Sequence, residues 1–203
     1  MKKLTILAAL VLLLPAASFA DIFQVTMDTP GWTGSTGTID IQFNAGSCCD
    51  PGTPFEPGSA TLRNFSIIGG TLGGLIFDDD VSIGGSTTGT LPGPMTITNG
   101  NFINGPVYGA TFGSKITFEV EFLGLAFTAP GQTNLSSLFV VIGATPGTLQ
   151  TQIDLLGDSK IGTSLSSQSV QVSPLGAIPE PSTYLLVSGA LGVGFLIRRR
   201  LRR

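Results

Sequence analysis

The chain has 203 residues, of which only 11% are charged, and it contains no histidine. Between Asp21 and Ile178 there are three basic residues and twelve acidic ones, so this segment has a net charge of −9 and the positive charge is concentrated at the two ends. A segment this acidic argues against nucleic-acid binding, and without histidine the usual serine triad cannot be assembled.

The first 20 residues have the pattern of a secretory signal peptide. Met1-Lys2-Lys3 is basic, and the apolar run from Leu4 to Leu14 is shorter than the roughly 20 residues that a membrane span needs. Ser18-Phe19-Ala20 places small residues at the two positions that signal peptidase reads. We therefore expect export and cleavage between Ala20 and Asp21. The alternative is an uncleaved N-terminal anchor.

From Asp21 onward, apolar and polar residues alternate in short stretches that predict β-strands. The clearest stretch is Lys115–Phe122, in which every even position is apolar and every odd position is polar. The run Leu138–Ile142 is continuously apolar and predicts a strand buried on both faces. The other candidate strands are Phe23–Met27, Ile39–Phe43, Thr61–Ile68, Leu72–Phe77, Met95–Thr98, Phe102–Phe112, Leu149–Leu155 and Ser169–Val172.

This series of strands predicts an all-β fold, an antiparallel β-sandwich or jelly-roll-like domain over residues 21–161. Residues 162–178 are rich in serine, glycine and proline, and we expect them to be a linker. Residues 179–203 form a separate tail.

Cys48 and Cys49 are the two cysteines of the chain and lie next to each other in a stretch with the composition of a loop. Neighbouring Cα atoms are about 3.8 Å apart, closer than the roughly 4.4–6.8 Å of an ordinary disulfide. A vicinal disulfide would therefore be strained, and inert thiols or an intermolecular linkage are the alternatives. A metal site would need other soft ligands or histidines.

Asp78, Asp79 and Asp80 form the densest cluster of charge and lie between two apolar runs. Carboxylate oxygens suit Ca²⁺, so these residues are weak calcium candidates. They lack the spacing of a dedicated calcium loop, and solvated turn residues are the simpler interpretation.

Glu119 and Glu121 lie on the polar side of the same predicted strand, roughly 6.6–7 Å apart along it. This overlaps the carboxylate separations that glycosidases use, although two hydrated acids on a solvent face have the same spacing. Two Thr-x-Thr pairs, Thr36/Thr38 and Thr96/Thr98, could match sugar hydroxyls or ordered water, but β-propensity alone also produces such pairs.

The C-terminal tail begins with Pro179-Glu180-Pro181 and continues with sixteen uncharged residues, Ser182–Ile197. As a helix this run would be about 24 Å long, shorter than a hydrocarbon core of roughly 30 Å. Snorkelling arginines or local thinning of the bilayer would make up the difference, and a buried C-terminal helix is the alternative. The basic end that would hold the tail on the cytoplasmic side consists of Arg198, Arg199, Arg200, Arg202 and Arg203.

This ordered tail resembles the PEP-CTERM sorting signal of Gram-negative bacteria that make exopolysaccharide. The resemblance covers about residues 178–203 and implies that an exosortase, a membrane transpeptidase-like enzyme, recognises Pro179-Glu180-Pro181. The two prolines favour an extended entry to the helix. The implied route leads through the inner membrane to the cell surface or the extracellular space.

We therefore expect an exported, non-enzymatic protein without a cofactor, processed by signal peptidase and exosortase, with a structural or adhesive role among exopolysaccharides. A competing hypothesis is an extracellular binding module for glycan, calcium or ice. A hydrolase would depend on Glu119 and Glu121 alone.

Overall fold

The computed structural model describes residues 19–45, 56–78, 87–100, 105–129, 136–144, 147–165 and 169–179. Residues Asp21–Gly176 form one compact unit. A second unit, Met1–Ala20 with Ala177–Arg203, lies almost wholly outside the described residues. The fold below is that of the first unit.

Two antiparallel sheets of six strands each form a β-sandwich, which confirms the all-β prediction. The β8 sheet has the strand order β12 (Val170–Pro179), β1 (Phe19–Asp28), β8 (Lys115–Gly124), β3 (Gly58–Ile68), β6 (Met95–Thr98) and β5 (Thr88–Gly89). The β9 sheet has the order β11 (Lys160–Leu165), β10 (Gly147–Gly157), β9 (Ser137–Ala144), β2 (Thr36–Asn44), β7 (Pro106–Thr111) and β4 (Thr71–Asp78). In the described ranges, a 3-10 turn covers Pro30–Trp32, and a short helix, α1, covers Leu125–Thr128.

The alternation in β8 has the predicted structural result. The four apolar residues of its alternating part are fully buried between the sheets, whereas its polar residues Lys115, Thr117, Glu119 and Glu121 are partly exposed on the outer face. The buried residues are Ile116, Phe118, Val120 and Phe122. Strand β2 supplies Ile39, Ile41 and Phe43 from the opposite sheet in the same way. The core is therefore the layer where the two inner faces meet.

The strand pairs are nested along the chain. Strand β1 pairs with β8, β2 with β7, and β3 with β6, all antiparallel. The chain moves to the other sheet at each step from β1 through β4. A long antiparallel hairpin wound across two sheets produces this order of pairs. Strands β1 and β8 are the two ends of this long hairpin, so they lie side by side near the centre of the β8 sheet.

The predicted linker over residues 162–178 is wrong for most of its length. Residues up to Leu165 belong to β11, and residues from Val170 belong to β12. Both are the outermost strands of their sheets, so each pairs along one edge only and tolerates the small polar residues that are also typical of a linker. Val170 is buried in the core, and Pro174 is tolerated because an edge strand leaves some N–H positions unpaired.

The prediction that β9 is buried on both faces is also wrong. Leu138, Val140 and Ile142 are fully buried, but Phe139 and Val141 lie partly exposed on the outer face. Strand β9 has a neighbouring strand on either side, yet among the described residues no further layer covers its outer face. A continuous apolar run therefore led to the wrong conclusion here.

Replacing Thr151 with valine is expected to raise the free energy of unfolding by about 1–2 kcal/mol. Thr151 lies on the inner face of β10 with no exposed surface, and its hydroxyl has no hydrogen-bond partner in the described part of the chain. Valine has nearly the same shape without the cost of burying that hydroxyl. Urea unfolding measures the change. Thr148→Val, on the exposed side of the same strand, should stay within about 0.5 kcal/mol; a less stable Thr151→Val protein would contradict the expectation.

Candidate functional site

Most of the residues predicted for sorting, for a disulfide or for calcium binding lie outside the described residues. These are Cys48, Cys49, Asp79, Asp80, Glu180, Pro181, Arg198, Arg199, Arg200, Arg202 and Arg203. The signal-peptide core and the predicted transmembrane run Ser182–Ile197 lie there as well. The corresponding hypotheses stay predictions.

Four residues of the sorting, signal-cleavage and calcium predictions have a described backbone. Ala20 and Asp21 belong to β1, and the paired residues between β1 and β8 begin at Asp21 opposite Phe122. Cleavage before Asp21 would thus leave all eight residue pairs between β1 and β8 intact. Pro179 is the last residue of β12, and Asp78 is the last residue of β4.

The two glutamates predicted as weak catalytic candidates lie on the outer face of the β8 sheet and have unequal surroundings. Arg63 of β3 lies opposite Glu119 in the register, but its guanidinium makes an ion pair with Glu121. The Arg63 side chain is 40% exposed and that of Glu121 is 13% exposed. An ion pair this open to solvent contributes about 0–1 kcal/mol. Its simplest role is to hold β3 and β8 in register.

The two threonine pairs are not brought together. Thr96 and Thr98 lie on the outer face of the β8 sheet, whereas Thr36 and Thr38 belong to β2 in the β9 sheet. Thr96 exchanges a hydrogen bond of 2.9 Å with Thr61 on the neighbouring strand. Since the pairs occupy different sheets, no joint threonine array forms from them.

A wide cleft of about 620 Å³ opens at the end of the β8 sheet where β3 begins and β6 and β8 end. Its wall includes the buried Asn99, whose side-chain oxygen accepts a hydrogen bond of 2.7 Å from the Gly58 N–H. The Asn99 amide nitrogen donates to the Glu56 carbonyl and to the Ser136 hydroxyl at 2.8 and 2.7 Å. Through these bonds Asn99 joins the end of β6 to the segment before β3 and to Ser136 before β9. Asn99 therefore has a structural role.

The outer face of the β9 sheet carries an ordered polar and aromatic surface that the sequence analysis did not anticipate. The register aligns residues of β2, β9 and β10 in three rows. The rows are Asn44–Ser137–Asp154, Gln42–Phe139–Gln152 and Asp40–Val141–Gln150. We call these nine residues the amide platform. Its centre is Phe139 with Val141, and its margins are amides and carboxylates.

Side-chain hydrogen bonds connect each margin of the amide platform. On β2, the Gln42 amide donates to the two oxygens of Asp40 at 3.2 and 3.0 Å, and Asn44 donates to the Gln42 oxygen at 3.2 Å. On β10, Gln152 donates to Asp154 at 2.8 Å, and Ser137 donates to the same carboxylate oxygen at 2.5 Å. The carboxylates thus restrict the orientation of the amides. The sequence signal was present in the alternating polar residues of β2 and β10, but their proximity depends on β9 lying between them.

Comparison with known proteins gives no further guidance. No family model, curated protein or solved structure matches this chain.

The described ranges contain neither a metal-binding cluster nor a membrane-spanning helix. No group of three or more acidic or cysteine side chains has the geometry to hold a metal ion there. In the same ranges no helix is long and apolar enough to cross a membrane. Asp79, Asp80 and the predicted transmembrane run lie outside these ranges.

Proposed function

We propose that this chain is a non-enzymatic protein of the cell surface or the exopolysaccharide matrix, delivered there by a PEP-CTERM sorting signal. Signal peptidase cleaves between Ala20 and Asp21, and an exosortase then processes the tail at Pro179-Glu180-Pro181. The inner membrane holds the precursor in transit through Ser182–Ile197, with the terminal arginines in the cytoplasm. The exported part has a structural or adhesive role.

One observation carries this proposal: the order of the tail. A Pro-Glu-Pro triplet, an uncharged run of sixteen residues and five arginines in the last six positions follow one another without interruption. Each piece has a physical function in sorting, since the prolines present an extended recognition site, the apolar run enters the bilayer and the arginines stop translocation. The signal-peptide pattern at the opposite end supports the same orientation independently.

The fold is compatible with this route. The compact unit begins at Asp21, directly after the proposed cleavage point, and its core is formed by residues that follow this point. The nested strand pairs support a jelly-roll assignment for the exported domain.

Replacing Pro179, Glu180 and Pro181 together with alanine should trap the protein in the inner membrane of a host that makes an exosortase. Exosortase would no longer recognise the tail, while the apolar run and the arginines would still anchor it. Cell fractionation and immunoblotting measure the distribution of the protein. A matched control replaces the next two residues, Ser182 and Thr183, with alanine and should be sorted normally.

Two results would contradict the sorting proposal. One is unchanged arrival of the triple variant at the cell surface or in the medium. The other is normal sorting of the wild-type chain in a host from which the exosortase gene has been deleted. A variant that is degraded before it reaches the inner membrane is recognised by comparing total protein with the Ser182/Thr183 control.

A second candidate function, an extracellular glycan-binding module, is favoured by the amide platform. Polar margins around an aromatic centre are typical of surfaces that orient a ligand through a few well-placed polar groups. This function is compatible with adhesion and does not require catalysis by Glu119 or Glu121.

A further inference from the structure

The central row of the amide platform places an aromatic ring between two amides. Phe139 pairs with Gln42 on one side and with Gln152 on the other, and all three side chains are partly exposed. Neighbouring strands lie about 4.8 Å apart, so the two glutamine backbones are separated by about 10 Å. An apolar surface of this width, with a hydrogen-bonding group at each end, suits a flat polar ligand that spans three strands.

The row is pre-organised by its neighbours. Gln42 is held by Asp40, and Gln152 is held by Asp154, through the hydrogen bonds described above. An amide that is already oriented loses less side-chain entropy when a ligand binds. The Asp154 carboxylate uses its Oδ1 for these bonds, and its second oxygen has lone pairs that can accept hydrogen bonds from ligand hydroxyls.

The chemistry of this surface matches a sugar. One face of a pyranose ring presents C–H groups that pack against an aromatic ring, while its hydroxyls both donate and accept hydrogen bonds. Amides likewise donate and accept, and carboxylates accept. Val141 continues the apolar centre one step along β9, so contacts can extend to a neighbouring sugar unit of a chain.

Charge selects the class of sugar polymer. Asp40 and Asp154 lie on this face, and Lys160, the first residue of β11, is the single basic residue among the described strands of the β9 sheet. A uronate or sulfate group placed near the two carboxylates would be repelled. A neutral polymer meets no such penalty.

We propose that the amide platform binds a neutral, hydroxyl-rich polysaccharide, with Phe139 stacking on a sugar ring and Gln42 and Gln152 bonding its hydroxyls. This proposal deepens the adhesive role stated above and rests on it. It assigns that role to one face of the sandwich. The opposite face, with the Arg63–Glu121 ion pair, takes no part.

The test is affinity electrophoresis of the full chain, purified in a detergent without a sugar headgroup so that the detergent does not compete. Native gels contain hydroxyethylcellulose, a glucomannan or dextran as neutral probes, and polygalacturonate as the anionic probe. At least one neutral polymer should retard the wild-type chain, and polygalacturonate should not. Failure of all three neutral polymers, or stronger retardation by polygalacturonate, would overturn the proposal.

Variants locate the binding surface. Phe139→Ala should weaken binding about tenfold or more, which corresponds to about 1.4 kcal/mol, and Gln42→Ala and Gln152→Ala should each weaken it severalfold. Glu119→Ala on the opposite sheet is the control and should bind like the wild type. If Phe139→Ala does not fold, as judged by circular dichroism, Phe139→Leu keeps the apolar contact but removes the ring and should show the same loss. Undiminished binding by a folded Phe139 variant would place the site elsewhere.

The binding experiment and the sorting experiment test the two proposals separately. A chain that is sorted normally but binds none of the neutral polymers contradicts only the polysaccharide proposal. A chain that binds a neutral polymer in the gel but reaches the surface without its Pro-Glu-Pro motif contradicts only the sorting proposal.

Discussion

Replacing Phe122 with alanine is expected to lower the free energy of unfolding by about 3–5 kcal/mol. Phe122 is fully buried, and its ring lies 6.0 Å from that of Phe23, 6.1 Å from that of Phe43 and 6.0 Å from that of Phe127. Phe43 comes from the β9 sheet and Phe127 from α1, so one side chain connects both sheets and the helix. Urea unfolding followed by circular dichroism measures the effect.

The loss at Phe122 should exceed the simple transfer free energy of the ring. Three aromatic neighbours belonging to different elements would all have to move to fill the space, and a cavity that stays open adds to the cost. Phe77→Ala is the matched control, since Phe77 is 54% exposed on the edge strand β4, and should change stability by less than about 1 kcal/mol. Equal losses for the two variants would contradict the central role of Phe122.

The sequence was most informative where a strand has one buried and one solvated face. Lys115–Phe122 was predicted from strict alternation, and β8 covers it and extends to Gly124. Met95–Thr98 coincides with β6. In such strands the burial requirement acts on every second residue and leaves a local signal that needs no knowledge of the neighbours.

Strand β11 and the corner helix were not predicted, and only the beginning of β12 was, through the candidate strand Ser169–Val172. The reason is physical. Strands β11 and β12 pair along one edge only, and much of β11 is exposed, so glycine, serine and threonine are tolerated there. Helix α1 has only four residues, too few to show a helical period. Its buried residues Ala126 and Phe127 are held by packing against the core rather than by helix propensity.

The amide platform could not be predicted because it is a property of strand order. Gln42 and Gln152 are 110 positions apart and become neighbours of Phe139 only because β9 lies between β2 and β10. The sequence of Leu138–Ile142 alone does not indicate which face of the strand is covered. By contrast, the sorting hypothesis depends on contiguous residues, so the sequence alone could carry it.

The two outer faces differ in how their polar residues are used. On the β8 sheet, Glu121 and Arg63 neutralise each other across two strands. On the β9 sheet, carboxylates pair with neutral amides, which leaves hydrogen-bonding groups and an aromatic ring in contact with solvent. Such a surface favours recognition of hydroxyl groups over recognition of ions.

Gly124→Ala is the other substitution with a large expected effect, a loss of about 2–5 kcal/mol in the free energy of unfolding. Gly124 has φ 94° and ψ 178°, a conformation that essentially only glycine adopts. A Cβ there would lie 2.6 Å from the Pro57 carbonyl oxygen and 3.0 Å from the Gly58 Cα, and both are backbone atoms of the neighbouring segment. The segment Pro57–Gly58 cannot move away freely, because the Pro57 carbonyl accepts a hydrogen bond of 3.0 Å from the Ala126 N–H. This bond also fixes the start of α1.

The corner at Gly124 therefore places Phe127 against the Phe122 ring, and straining it should loosen the aromatic cluster as well as the turn. Gly74→Ala in β4 is the matched control, because a Cβ at Gly74 has no atom within 4 Å; its stability should stay within about 0.5 kcal/mol of the wild type. Urea unfolding of both variants measures the difference, and near-ultraviolet circular dichroism reports the packing of the rings. Equal unfolding midpoints would mean that the corner adapts to a side chain, and the close approach of Gly124 to Pro57 would then have no energetic importance.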